Sequence, residues 1–223
     1  MDPIKIHRVI RSRRRTIALV VGSDATLIVR APMHTPMDYI ESLVRKKLQW
    51  IRAKIAQVES RPRVHRKRFV NGESFLYLGD PYRLRIVSDA EAPLVFHKEF
   101  VLAAEHQSRA RALLLDWYKR EARRKIPDRV TWHAHRIGME IGPVKITEAR
   151  KRWGSCGKGN SLNFSWRLIM APLPVLDYVV IHELAHTIEK NHCRSFWSKV
   201  ATMCPTYHSS MQWLKKNEHL LQV

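Results

Sequence analysis

The sequence predicts an α+β protein, with a β-rich first part over residues 1–100 carrying one amphipathic helix and a helix-rich second part over residues 101–223. Three observations predict it. Short β-favouring runs punctuated by Gly, Asp and Pro crowd the first hundred residues; helical periodicity dominates afterwards. The third is an apolar segment from Pro174 to His186 that carries two histidines and a glutamate in the pattern H-E-x-x-H.

In chain order, residues 16–21 and 25–30 are two strand-like runs separated by Gly22-Ser-Asp24, a hairpin signal. Thr35, Pro36 and Asp38 combine an N-cap residue, a proline at the first helical position and an early acid. Ile40, Leu43, Leu48, Ile51 and Ile55 then recur near the helical period, so a single helix is expected up to Val58. The run Arg61–Arg68 interrupts it as a basic linker. Residues 75–78 and 82–87, joined by Gly79-Asp-Pro81, form a second hairpin signal. A long helix is expected from Leu102 to Lys125, with Trp117 and Tyr118 as core, and another after Pro127. Residues 144–148 and 161–168 are strand-like around the glycine-rich stretch Gly154–Gly159, and two more helices fill Ser195 to Leu221.

Composition narrows the class. With 45% hydrophobic and 27% charged residues the chain is ordinary for a globular protein. No window approaches 18 apolar residues, and the first residues lack the apolar core of a signal peptide. A cytoplasmic location and no membrane partner are therefore expected. Cys156, Cys193 and Cys204 are odd in number, which fits free thiols in a reducing compartment. The formal net charge is +20, shared equally by the two halves, and such a field favours polyanions. Nucleic acid is the possible partner, although no nucleic-acid-binding motif accompanies the charge. The run Arg11-Ser-Arg-Arg-Arg15 reads as a solvated strand edge or a phosphate contact. His133 and His135 read as an exposed polar pair.

Within His182-Glu-Leu-Ala-His186, the i, i+4 spacing puts both imidazoles on one helix face, one turn apart, within reach of one metal ion. Glu183 stands beside them, placed to take a proton from a metal-bound water as general base. His192, six residues after His186, supplies the third ligand and leaves a zinc ion with one open position. That offset equals the one in the extended motif H-E-x-x-H-x-x-G-x-x-H, but Glu189 stands where the glycine would. Asn191 is the candidate for the bend, because asparagine tolerates left-handed backbone. With 12 histidines in 223 residues, chance produces H-E-x-x-H about 3% of the time. Burial of the flanking residues weighs further against chance, since polar pairs in an apolar helix need partners.

These residues, together with Arg152-Trp-Gly-Ser-Cys156, Leu162-Asn163, Tyr178, Asn191-His192 and Phe196-Trp197, resemble the YgjP-like family of predicted zinc metallopeptidases. The likeness extends upstream to residues 13–17, 29–32, the Gly79 hairpin and Trp117-Tyr118. The family's active-site pattern is similar to that of SprT and Spartan-type proteases, whose members act on proteins bound to or crosslinked with DNA. The resemblance implies a zincin-like core, a small sheet over an active-site helix, formed by residues 101–223, with Zn2+ as cofactor and a peptide or protein as substrate. In such an arrangement the strand before the helix borders the cleft and can pair with an extended substrate. Arg152, Trp153 and Asn163 are then expected substrate contacts. The alternative is structural, with Trp153 and Trp166 packing on helices and Gly154 and Gly157 setting a turn. Tyr207 or His208 is a weaker transition-state donor. A competing reading makes the protein a nucleic-acid-associated binding module with a mainly structural zinc, and a merged reading makes it a protease acting on nucleic-acid-bound proteins.

Overall fold

The computed structural model describes residues 4–22, 24–60 and 67–223. Most of the basic run 61–68, and Ser23 of the first turn, lie outside the described residues. The chain divides into two compact units, Met1–Val64 and His65–Val223.

In the first unit, β1 (Ile6–Ser12), β2 (Ala18–Val21) and β3 (Leu27–Pro32) form a sheet in the order β1-β3-β2. Strand β3 is central, parallel to β1 and antiparallel to β2. Its alternate residues Leu27, Val29 and Ala31 are fully buried, which fixes the register because a one-residue slip would turn all three outward. Two helices follow where one was expected: α1 (Met37–Lys46) and α2 (Leu48–Glu59), separated at Lys47, whose φ of −103° and ψ of 15° leave the helical region. Both helices reach the same small core, through Ile40 and Val44 on one and Ile51 on the other. Pro36, not Thr35, holds the N-cap position, and no side chain caps the helix.

The second unit opens with the expected hairpin, β4 (Ser74–Tyr77) and β5 (Asp80–Val87). Its two-residue turn puts Leu78 and Gly79 at φ of 50° and 94°, the mirror-image geometry that matches strand twist. Gly79 has a second reason to be glycine: a Cβ there would lie 2.7 Å from Pro172 Cγ and 2.8 Å from its Cα. The Leu78 and Gly79 N–H groups donate to the carbonyls of Ile169 and Met170 at 2.9 and 3.1 Å. Strands β6 (Leu94–Phe96) and β7 (Phe100–Ala103) complete a sheet ordered β4-β5-β7-β6. Leu102 and Ala103, expected as the start of a helix, pair instead with Ile86 and Val87 of β5. Helix α3 begins only at Ala110 and runs unbroken to Arg136. It passes through Pro127, where a break was expected, because Ala122, Ile126, Val130 and Ala134 form a fully packed stripe that offsets the one lost hydrogen bond. Trp117 and Tyr118 are core, as expected.

A second sheet, β8 (Val144–Thr147), β10 (Leu162–Ser165) and β9 (Gly154–Cys156), has β10 at its centre, parallel to β8 and antiparallel to β9. The start of the glycine-rich stretch, expected as a turn, is thus an edge strand. Helices α4 (Leu173–Ile188), α5 (Arg194–Met203) and α6 (Tyr207–Asn217) follow. Helix α4 packs against α3, β9, α5 and α6, so its middle, from Val175 to Ala185, is mostly buried. Asp177 near its start accepts two 2.7 Å hydrogen bonds from Arg129 of α3 and lies 3.2 Å from His133 Nε2. His133 is therefore a buried partner and not one of an exposed pair; only His135 is exposed. The division at 64/65 falls upstream of the expected 100/101 boundary because Phe75, Tyr77, Leu84, Phe100 and Leu102 share one core with α3. Among the described residues no helix is long and apolar enough to cross a membrane.

Candidate metal centre

Helix α4 places His182 and His186 one turn apart, and the chain after it brings His192 back to meet them. The Nε2 atoms of His186 and His192 lie 3.1 Å apart, as do those of His192 and His182. Four-coordinate zinc with nitrogens at its usual bond length would hold them about 3.3 Å apart. Three ring nitrogens turned toward one point fit a cation better than hydrogen bonds among themselves, since neutral imidazole has one donor and one acceptor. The donor set fits in a second respect. His186 Nδ1 lies 3.0 Å from the carbonyl oxygen of Glu189, and donation there leaves the Nε2 lone pair free. Burial pushes His182 down to about 4, with His186 and His192 adding to the effect, and burial likewise lowers His186. Both imidazoles are thus held neutral, the form that ligates. These three histidines could hold a metal ion.

The return of His192 is built by Glu189 and not by Asn191. Helix α4 ends at Ile188, and Glu189 takes an extended conformation, φ −129° and ψ 110°. Asn191 is not among the described residues with positive φ, so the expected left-handed bend is absent. The Glu189 N–H still closes the helix on Ala185, while its carbonyl orients His186. One residue therefore ends the helix and aims a ligand, which a glycine would also permit.

Glu183 is buried at 5% exposure, with Oε2 lacking a hydrogen-bond partner. Burial raises its carboxyl to about 7, against the opposing pull of the Arg152 charge and the Cys156 N–H. A base of that strength is well matched to proton transfer near neutrality. Edge strand β9 makes the burial: a Cβ on Gly154 would lie 2.5 Å from Glu183 Cγ and 2.6 Å from Oε1. Gly154 is thus a close-approach glycine, not a turn residue; its signal in the sequence was a glycine beside small residues just before a strand.

Of the expected substrate contacts, Arg152 is exposed and close enough to act on Glu183 electrostatically. Trp153 is half-buried against the core, and its carbonyl accepts the Ser165 N–H at 2.8 Å. Asn163 Nδ2 reaches the Ser155 carbonyl at 3.5 Å, within the sheet. Tyr207 stacks on Trp197 with ring centroids 5.6 Å apart, and His208 lies beside it. Sequence reasoning named Tyr178, Phe196 and Trp197 only as part of the family pattern and gave them no place in the site, where they form an aromatic wall. Phe196 stacks on His186 at 4.4 Å, Trp197 lies 5.8 Å from both His182 and His192, and Tyr178 meets His182 edge-on at 5.9 Å. Phe196 and Trp197 follow His192 by four and five residues, near the start of α5, and that closeness was the signal for their role.

Two imidazoles on an apolar helix, a third returned by the chain beyond it and a desolvated carboxylate beside them give this mixed α+β protein a candidate metal centre. The particular family follows from the whole chain: the model of the YgjP-like metallopeptidase domain matches residues 15–217, and the protein belongs to that family. No curated protein and no solved structure matches the chain.

Proposed function

We propose that the protein is a zinc-dependent peptidase with a zincin-like core, in which the β8-β10-β9 sheet borders helix α4. The observation that carries this reading is the convergence of the His182, His186 and His192 Nε2 atoms beside a buried, partly unpartnered Glu183. When bound, the ion supplies Lewis acidity, lowering the pKa of a water to about 7 and polarising the scissile carbonyl. His182, His186 and His192 would hold it. Glu183 accepts the proton of the attacking water at Oε2 and returns it to the leaving nitrogen. The Cys156 N–H and the close pass of Gly154 fix the carboxylate for that transfer. Arg152, Trp153 and Asn163 stand on or beside β9 and β10, the strands along which an extended peptide would lie, and are proposed to orient it.

The rival, a binding module with a structural zinc, has less support. Structural zinc sites close with four protein ligands, whereas this cluster offers three among the described residues. Metal analysis of wild type and His192→Ala tests the proposal. About one zinc per wild-type chain, lost in the variant, is expected; wild type without zinc would end the peptidase reading.

A further inference from the structure

The first unit carries a basic groove that the metal centre does not use. Strands β1 and β3 run parallel, with Ser12 beside Pro32, so the chain leaves both at the same end of the sheet. The two exit segments bound a groove of about 660 Å³ lined by Ser12, Arg13, Arg14, Met33, His34 and Tyr39, and no acidic side chain lines it. Its shape is fixed from below. The Arg11 guanidinium donates to the carbonyls of Met33 and Thr35 at 3.1 and 2.5 Å, tying one exit segment to the other. The remaining arginines are uncommitted: Arg13, Arg14 and Arg15 make no ion pair among the described residues. Arg14 Nε is shielded from water and has no hydrogen-bond partner, a donor lacking its acceptor. Beside this charge, Met33 is 51% and Tyr39 60% exposed. A tyrosine ring and a thioether thus stand open to a ligand beside guanidinium groups without ion-pair partners among the described residues.

We infer that this groove binds single-stranded nucleic acid, with Arg13 and Arg14 on the phosphates and Tyr39 stacking a base. The pairing of a positive track with a sequence-tolerant aromatic platform is the chemistry that single strands demand, whereas duplex bases are already stacked. DNA and RNA share it. The inference stands apart from the peptidase reading, since every residue it uses lies in the first unit.

The test is fluorescence anisotropy of the full-length protein with labelled oligothymidylate and oligouridylate, on the order of ten nucleotides long. Five forms are compared: wild type, Arg13→Ala/Arg14→Ala, Tyr39→Ala, Glu183→Gln, and the charge control Lys215→Ala/Lys216→Ala. The arginine pair should lower the slope of log affinity against log salt by about 1.4, at roughly 0.7 per phosphate contact. Tyr39→Ala should weaken binding at least about fivefold while leaving that slope unchanged. Glu183→Gln and the control should bind as wild type, which separates this result from any failure of hydrolysis. Preference between the two oligomers decides DNA or RNA. Equal losses from the two double variants would mean generic polyanion attraction and overturn the inference. No binding at moderate salt, or a Tyr39→Ala form indistinguishable from wild type, would overturn it too.

Discussion

The two units are built on different scales, and their chemistry differs accordingly. Among the described residues the first buries six apolar side chains, Leu27, Val29, Ala31, Ile40, Val44 and Ile51, between three strands and two helices. The second has, among its described residues, a core of thirty-three buried ones running from Phe75 to Leu221. Among the described residues, the buried polar side chains, Glu183, His133, Ser165 and Ser210, all belong to the larger one. A desolvated carboxylate is tolerable only where surplus apolar burial offsets it. The small unit presents its charge at the surface, where water lowers the cost. The molecule thus separates a buried reactive centre from an exposed basic face according to how much core each part has.

The comparison can be sharpened most by removing the buried base. Glu183→Gln should cut hydrolysis of a peptide substrate by about 10²–10⁴-fold. Zinc content measured by mass spectrometry should stay at the wild-type level, and an active variant would remove Glu183 from the mechanism. Next comes the small core. Ile40→Ala should cost about 2–5 kcal/mol in a unit whose total stability, for roughly 60 residues, is only about 3–9 kcal/mol. Amide hydrogen exchange should then accelerate in β3 and not in α4; acceleration in both would mean the units unfold as one. Gly154→Ala drives a methyl group into Glu183 and should lower activity at least about tenfold with zinc retained. Unchanged kinetics would show that β9 can retreat.

The smallest effect concerns the clamp between α3 and α4. Burial raises the Asp177 carboxyl, but hydrogen bonds from His133 and Arg129 outweigh it and hold the group below its ordinary value of 3.8. A depressed folded value contributes stability that is fully present above the ordinary value and is lost as pH falls through the folded one. Asp177→Asn should therefore cost about 1–3 kcal/mol at neutral pH. In denaturation curves, the gap between variant and wild type should start to narrow only as pH falls below 3.8 and close as it passes the lower folded value; a gap that does not narrow would assign the effect to packing instead.

The histidine spacing, the apolar helix around it and both hairpins were legible because local pattern and final structure agree there. Where tertiary pairing decided, the sequence misled. Leu102-Ala-Ala-Glu has good helix formers, yet β5 offered Leu102 and Ala103 strand partners. Gly154-Ser-Cys has the composition of a turn, and only its partner β10 and the carboxylate beneath make it a strand. The carbonyl that orients His186 belongs to the backbone of Glu189, so no side-chain pattern could announce it. His133 looked like surface because its acidic partner lies forty-four positions away, on another helix.

The tip of the β4–β5 hairpin carries one last implication. Such turns ordinarily face water, where loops can be lengthened or fused to tags with little harm. Here Leu78 and Gly79 are bonded to the carbonyls of Ile169 and Met170, and Gly79 rests on Pro172, the N-cap of the helix that carries His182 and His186. A peptide grafted between residues 78 and 79 would pry at the foot of α4, so this loop, short and sharp as it is, is a poor place for engineering.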